Sequence, residues 1–122
     1  MLRRLFYWLA VCAASIAATT AQPAAVTFDL RVERGRVPEN MRRIRVEQGD
    51  VVTLRWSVDR ATILHLHGYD IEKRAEPGTV TDMTFTARAT GRFPVHMHDV
   101  GAESAAGARE QAPIAHVEVY PR

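Results

Sequence analysis

The chain has 122 residues, 16 of them basic and 14 acidic, with a single cysteine. A net charge of +2 gives no nucleic-acid footprint, and no basic stripe suits a membrane surface. One cysteine cannot form an internal disulfide, so the fold must stand on packing alone. At the start, Arg3 and Arg4 precede an apolar run from Leu5 to Ala18, and Thr19-Thr20-Ala21 leads into Gln22-Pro23. This pattern suits a secretory signal cleaved after Ala21. The run, about fourteen residues long, is short for a bilayer span. Residues 1–21 are therefore read as signal and 22–122 as one mature domain, periplasmic or secreted, with no membrane attachment after cleavage. Cys12 lies inside the signal; Val11 before it fits a lipidation box poorly, so it is read as one more apolar residue. The mature domain then carries no thiol. Without Arg3 and Arg4 it has 14 basic and 14 acidic residues and is formally neutral.

The rest of the chain reads as strands. Val26, Phe28, Leu30 and Val32 alternate with polar residues, the pattern of a half-buried strand. Val37-Pro38-Glu39-Asn40 is a break. Ile44 and Val46 alternate with arginines before Gln48-Gly49-Asp50, and Val52, Leu54 and Trp56 follow on one side of the next run. "VEQGDVVTLRW" is thus predicted to be a hairpin. Thr62 to His67 is a strand apolar on both faces, hence central. Glu76-Pro77-Gly78 is a turn, and Thr81, Met83 and Phe85 share a face of the strand after it. Ala89-Thr90-Gly91 turns into Phe93–His98, and Ile114 to Tyr120 closes the chain. The spacing predicts an antiparallel β-sandwich of about seven strands. The Asp99–Pro113 stretch, rich in alanine and glycine, is the one long loop, and loops of that length in small domains are commonly functional or disordered.

Four of the five histidines fall in two short words, His65-Leu66-His67-Gly68 and His96-Met97-His98. In a strand, side chains two apart point the same way, so each His-x-His presents two imidazoles on one face. Imidazole is the commonest protein ligand for transition metals, and an all-nitrogen set without thiolate suits copper, with zinc or iron as alternatives. Two unpaired imidazoles on a central strand would be costly to bury, which favours a shared metal. His96 and His98 lie opposite Phe93, Val95 and Met97 in parity. With those three facing the core, the histidines are expected to look outward or toward the mouth of the sandwich, the mouth being preferred because the long loop begins there.

The two histidine words, with the turn-rich frame around them, resemble the cupredoxin superfamily. "VEQGDVVTLRW" is similar to its early hairpin, "HLHGYD" to the strand bearing the first copper ligand, and "PGTVTDMTFTARATGRFPVHMH" to its late pair of strands. The resemblance spans about Val26 to Arg122 and implies an all-β, Greek-key, cupredoxin-like sandwich. Blue-copper carriers of this superfamily need a cysteine where this chain reads Phe93-Pro94-Val95-His96-Met97-His98, so that site is excluded. His-x-His-Gly and Gly-x-Phe/Tyr-x-x-His-x-His are also similar to words of multicopper oxidases, whose copper cluster takes its remaining ligands from a second domain. The resemblance therefore implies copper more strongly than catalysis. Cu,Zn superoxide dismutases share a His-x-His word, but their other metal ligands and cysteines are missing.

The resulting expectation is a copper carrier, buffer or delivery protein that binds the ion through His65, His67, His96 and His98. Its partner would be a periplasmic copper donor or acceptor. His116, Met97 and Asp99 are further candidate ligands. A core role is preferred for Met97 and a loop role for Asp99 and Asp70, while His116 is open between a fifth ligand, a hydrogen-bonding support and a surface residue. Two other classes stand beside this reading: a small copper redox enzyme of oxidase or dismutase type, and a metal-free sandwich that keeps its histidines for packing. Because only neutral imidazole ligates, metal affinity is expected to fall below about pH 6.

Overall fold

The computed structural model describes residues 15–18, 22–100 and 112–122. The expected signal, apart from 15–18, and the greater part of the Asp99–Pro113 stretch thus lie outside the described residues. Among the described residues there are eight strands: β1 (Ala25–Val32), β2 (Arg43–Glu47), β3 (Val51–Val58), β4 (Thr62–Leu66), β5 (Ile71–Ala75), β6 (Thr81–Thr86), β7 (Gly91–Asp99) and β8 (Ala115–Tyr120). They form a three-stranded sheet, β1-β3-β6, facing a five-stranded sheet, β2-β8-β7-β4-β5. No described helix is long and apolar enough to cross a membrane.

Period-two alternation builds the core. Leu30, Val32, Val52, Leu54, Trp56, Met83 and Phe85 line the inner face of the smaller sheet, and Ile44, Val46, Leu64, Leu66, Val95, Met97, Val117 and Val119 line the larger one. Fully burying one such side chain contributes about 1.5–3 kcal/mol, so this double layer dominates the stability of a domain without disulfides. Trp56 is completely buried, and its indole N–H finds no hydrogen-bond acceptor among the described residues.

Two expectations are corrected. "VEQGDVVTLRW" is not a hairpin, because β2 and β3 belong to different sheets. The Gln48-Gly49-Asp50 turn carries the chain across the sandwich, so both runs bury their apolar alternates against one core from opposite sides. Nor is the pairing antiparallel throughout: β1 runs parallel to β3, and β2 parallel to β8. The eight strands among the described residues agree with the expected count of about seven; the one not read from the sequence is β5, an edge strand whose central residues Glu72, Lys73 and Arg74 are exposed. β4 does lie inside its sheet, flanked by β5 and β7.

The crossing turn is held by Asp50, only 4 % exposed. Its carboxylate accepts the backbone N–H groups of Ala24 (3.1 Å) and Glu47 (3.0 Å) and a guanidinium N–H of Arg122 (2.7 Å). Arg122 also donates to the carbonyl oxygens of Gln22 (2.6 Å) and Gln48 (3.1 Å). One buried carboxylate thus ties the start of β1, the corner between the sheets and the end of the chain.

Candidate metal centre

The register of β4 and β7 places the two histidine words side by side. His65 lies directly opposite His96, and Ile63 opposite His98. Directly paired residues of an antiparallel ladder share a face. Leu64 and Leu66 of β4, with Val95 and Met97 of β7, point into the core. The histidines therefore stand on the outer face of the five-stranded sheet and not at the mouth of the sandwich. This departs from the expected position because the two words pair with each other along the β4–β7 ladder and share its solvent side.

Local contacts hold both words in place. The His67 N–H donates to the Pro94 carbonyl at 3.0 Å, extending the ladder one step past the end of β4. At its other end, the buried Thr62 hydroxyl donates to the His98 carbonyl at 2.8 Å. Gly68 has φ +86°, and a Cβ there would run into the ring of Phe93. Phe93 in turn packs edge-on against Tyr69, with centroids 4.9 Å apart. Tyr69 also packs on Phe85 and donates its hydroxyl to the Ala89 carbonyl at 2.9 Å. Burial raises the Tyr69 pKa, against the lowering effect of that hydrogen bond. The glycine of "HLHG" and the phenylalanine of "GRFPVHMH" are thus two halves of one contact.

The four imidazoles form a closed circuit. Ring centroids are 4.0 Å apart for His65–His67, 4.6 Å for His67–His96, 6.5 Å for His96–His98 and 6.2 Å for His65–His98. An ion about 2.0 Å from a ring nitrogen lies about 3 Å from that ring's centroid; rings sharing it are then about 4.5 Å apart at right angles and about 6 Å apart across it. Only the His67–His96 separation matches neighbouring ligands; His98 would have to lie across the ion from both His65 and His96, so it must move for all four rings to share one ion. His67 Nε2 is buried with no hydrogen-bond partner among the described residues, a state that costs about 1–3 kcal/mol. The donors thus fit a nitrogen-loving metal in kind. Their nitrogens do not yet converge: among the described residues no group of three or more His, Cys, Asp or Glu is arranged to hold an ion. Binding requires side-chain rotation about rings already gathered.

The other candidates fall elsewhere. Met97 is 3 % exposed in the core, the packing role preferred for it. Asp99 is exposed and lies 3.6 Å from the Arg60 guanidinium. Asp70 has φ +54° and sits 3.9 Å from His65 Nε2, too far for a hydrogen bond. His116 lies one strand over, directly opposite Pro94, with its Nδ1 3.4 Å from Arg92 Nη2. Burial lowers its pKa, Arg92 lowers it further, and Glu118 opposes both. Sequence reasoning missed Glu72, the direct partner of His65 across the β4–β5 ladder and the carboxylate on this face nearest to it in register. Counting back across the four-residue turn from His67 to Asp70 would have found it.

By sequence the chain matches no protein family and no characterised protein. By structure it is similar to a chain of a heme-copper terminal oxidase dimer, with 21 % identity, a TM-score of 0.52, and coverage of 77 % of this chain and 64 % of that one. It is also similar to the blue copper oxidase from Nitrosomonas europaea, with 19 % identity, a TM-score of 0.58, and coverage of 83 % of this chain and 40 % of that one. The fold is a cupredoxin-like β-sandwich. The chain spans less than two thirds of the length of either neighbour.

Proposed function

We propose that the protein is an exported copper-binding protein of cupredoxin-like fold that holds one ion through His65, His67, His96 and His98 and passes it to a partner. The observation that carries this reading is the buried, unpartnered Nε2 of His67, standing within 4.0–4.6 Å, centroid to centroid, of two further imidazoles. A metal would complete that nitrogen. The names of the two structural neighbours, both copper oxidases, point to the same element. Ligand type agrees, because affinity among divalent ions for an imidazole set peaks at copper.

Delivery is favoured over catalysis by the position of the site. It lies on an outer sheet face, with the His65 side chain 21 % exposed, where an incoming ligand can reach the ion. Because the donors must rotate to converge, the ion is held without the rigid frame that suits repeated turnover.

The test is copper exchange. Protein comprising residues 22–122 is loaded with one equivalent of Cu(II), then challenged with chelators of graded strength while oxygen uptake is followed with ascorbate present. Expected are retention against weak chelators, transfer to strong ones and no oxygen uptake above free copper. Sustained uptake abolished by His96→Ala would replace the carrier reading with an oxidase one.

A further inference from the structure

The outer face of the five-stranded sheet bears a second cluster. Three neighbouring strands contribute to it through their register. Arg43 of β2 is the direct partner of His116 of β8, Arg45 of β2 is the partner of Glu118, and Glu118 is also the partner of Arg92 of β7. The Glu118 carboxylate, 14 % exposed, therefore faces Nε of Arg43 at 3.2 Å, of Arg45 at 3.6 Å and of Arg92 at 3.8 Å. It also accepts the Tyr120 hydroxyl at 2.9 Å. One carboxylate cannot balance three guanidiniums.

Beside this cluster opens a groove of about 430 Å³, lined by Arg42, Arg43, Arg92 and His116 together with one carboxylate, Glu39. Arg42 is anchored through Nε, which donates to the Val37 carbonyl at 2.8 Å. That bond holds its guanidinium beside the groove. With Arg45 and Glu118 included, the patch holds four guanidiniums against two carboxylates. A guanidinium is a rigid fork that matches two oxygens of a carboxylate or phosphate at once. The concavity is of small-molecule size, at the lower end of the range for ligand pockets.

We propose that this groove binds a small oxyanion carrying at least two negative charges, a phosphate or a polycarboxylate, through Arg42, Arg43 and Arg92 with His116 at its side. Such a ligand supplies the charge the patch lacks. His116 then gains an acceptor in place of the arginine that now faces it. The groove lies on the same sheet face as the four-histidine cluster: His116 is opposite Pro94, which is two residues from His96. It is nevertheless built from different side chains, so its occupancy does not depend on a metal.

Titration calorimetry on metal-free protein tests this, with inorganic phosphate and citrate as probes and chloride at matched ionic strength as reference. Saturable binding of one anion per chain is expected, about tenfold or more weaker in Arg92→Gln and in Arg43→Gln, the loss of one charge-assisted contact. Arg74→Gln, an arginine of edge strand β5 that pairs with Glu76, is expected to leave it unchanged. Tighter citrate binding assigns a polycarboxylate, and tighter phosphate binding assigns a phosphate. In the unsubstituted protein, nuclear magnetic resonance should show the His116 ring responding to the anion while the His98 ring does not, a readout independent of variant folding. Binding of neither anion beyond chloride, affinity unaltered in both arginine variants, or a silent His116 ring would overturn the proposal.

Discussion

Asp50→Ala is expected to destabilise the protein by about 3 kcal/mol, enough to displace the urea midpoint by a molar unit or more. The reason is the set of groups left behind. The N–H groups of Ala24 and Glu47 and the Arg122 guanidinium lose the one buried carboxylate on which all three converge. Asp50→Asn keeps one acceptor oxygen and loses the charge, so its cost should be smaller. The same site predicts a pH dependence. The Ala24 and Glu47 hydrogen bonds hold the Asp50 carboxyl below its ordinary 3.8, with Arg122 adding to them against the cost of burial. A carboxyl depressed by folding contributes stability that is fully present above its unfolded value and lost as pH falls through its folded one. Urea unfolding of the unsubstituted protein and of Asp50→Asn should therefore differ at neutral pH, and the gap should close as pH falls below about 4. A gap that persists unchanged at pH 2 would assign the effect to shape and not to charge.

Gly68→Ala should cost about 2–5 kcal/mol, from two separable sources. A non-glycine residue in the left-handed region loses about 1–2 kcal/mol, and overpacking adds about 1–3 kcal/mol. Gly78 separates the two: its φ is +82° against +86° for Gly68, yet a Cβ at Gly78 meets nothing within 4 Å. Gly78→Ala should then show the backbone strain alone. The difference between the two variants is the collision with Phe93, and Phe93→Leu should recover part of it in the double variant. Thermal unfolding of the four proteins checks this. Equal losses for Gly68→Ala and Gly78→Ala would show that the Gly68–Phe93 contact does not join the two histidine words.

Much of this arrangement was legible beforehand, because alternation reports faces directly. The parity of Val95 and Met97 against His96 and His98, and of Leu64 and Leu66 against His65 and His67, separates the core from the histidine face without any knowledge of partners. Pairing is different, since it depends on residues far away in the chain. Nothing local distinguishes "VEQGDVVTLRW" as a corner between sheets from a hairpin within one; both need two alternating runs and a tight turn. The parallel partners β1 and β3 share that obscurity. β5 was hidden because Glu72, Lys73 and Arg74 lie on an exposed edge and interrupt the apolar signal. Its omission concealed the placement of Glu72 beside His65. The arginine groove was invisible for the same reason: Arg43, Arg92 and His116 become neighbours only through the order β2-β8-β7.

The central claim is that the four imidazoles share one copper ion, and electron paramagnetic resonance of protein loaded with a single equivalent of Cu(II) tests it most directly. The account predicts one nitrogen-rich signal per chain that loses coupled nitrogens when His67→Ala or His96→Ala is introduced and is unaltered by His116→Ala. A spectrum of loosely bound copper, identical in all of these proteins, would contradict it.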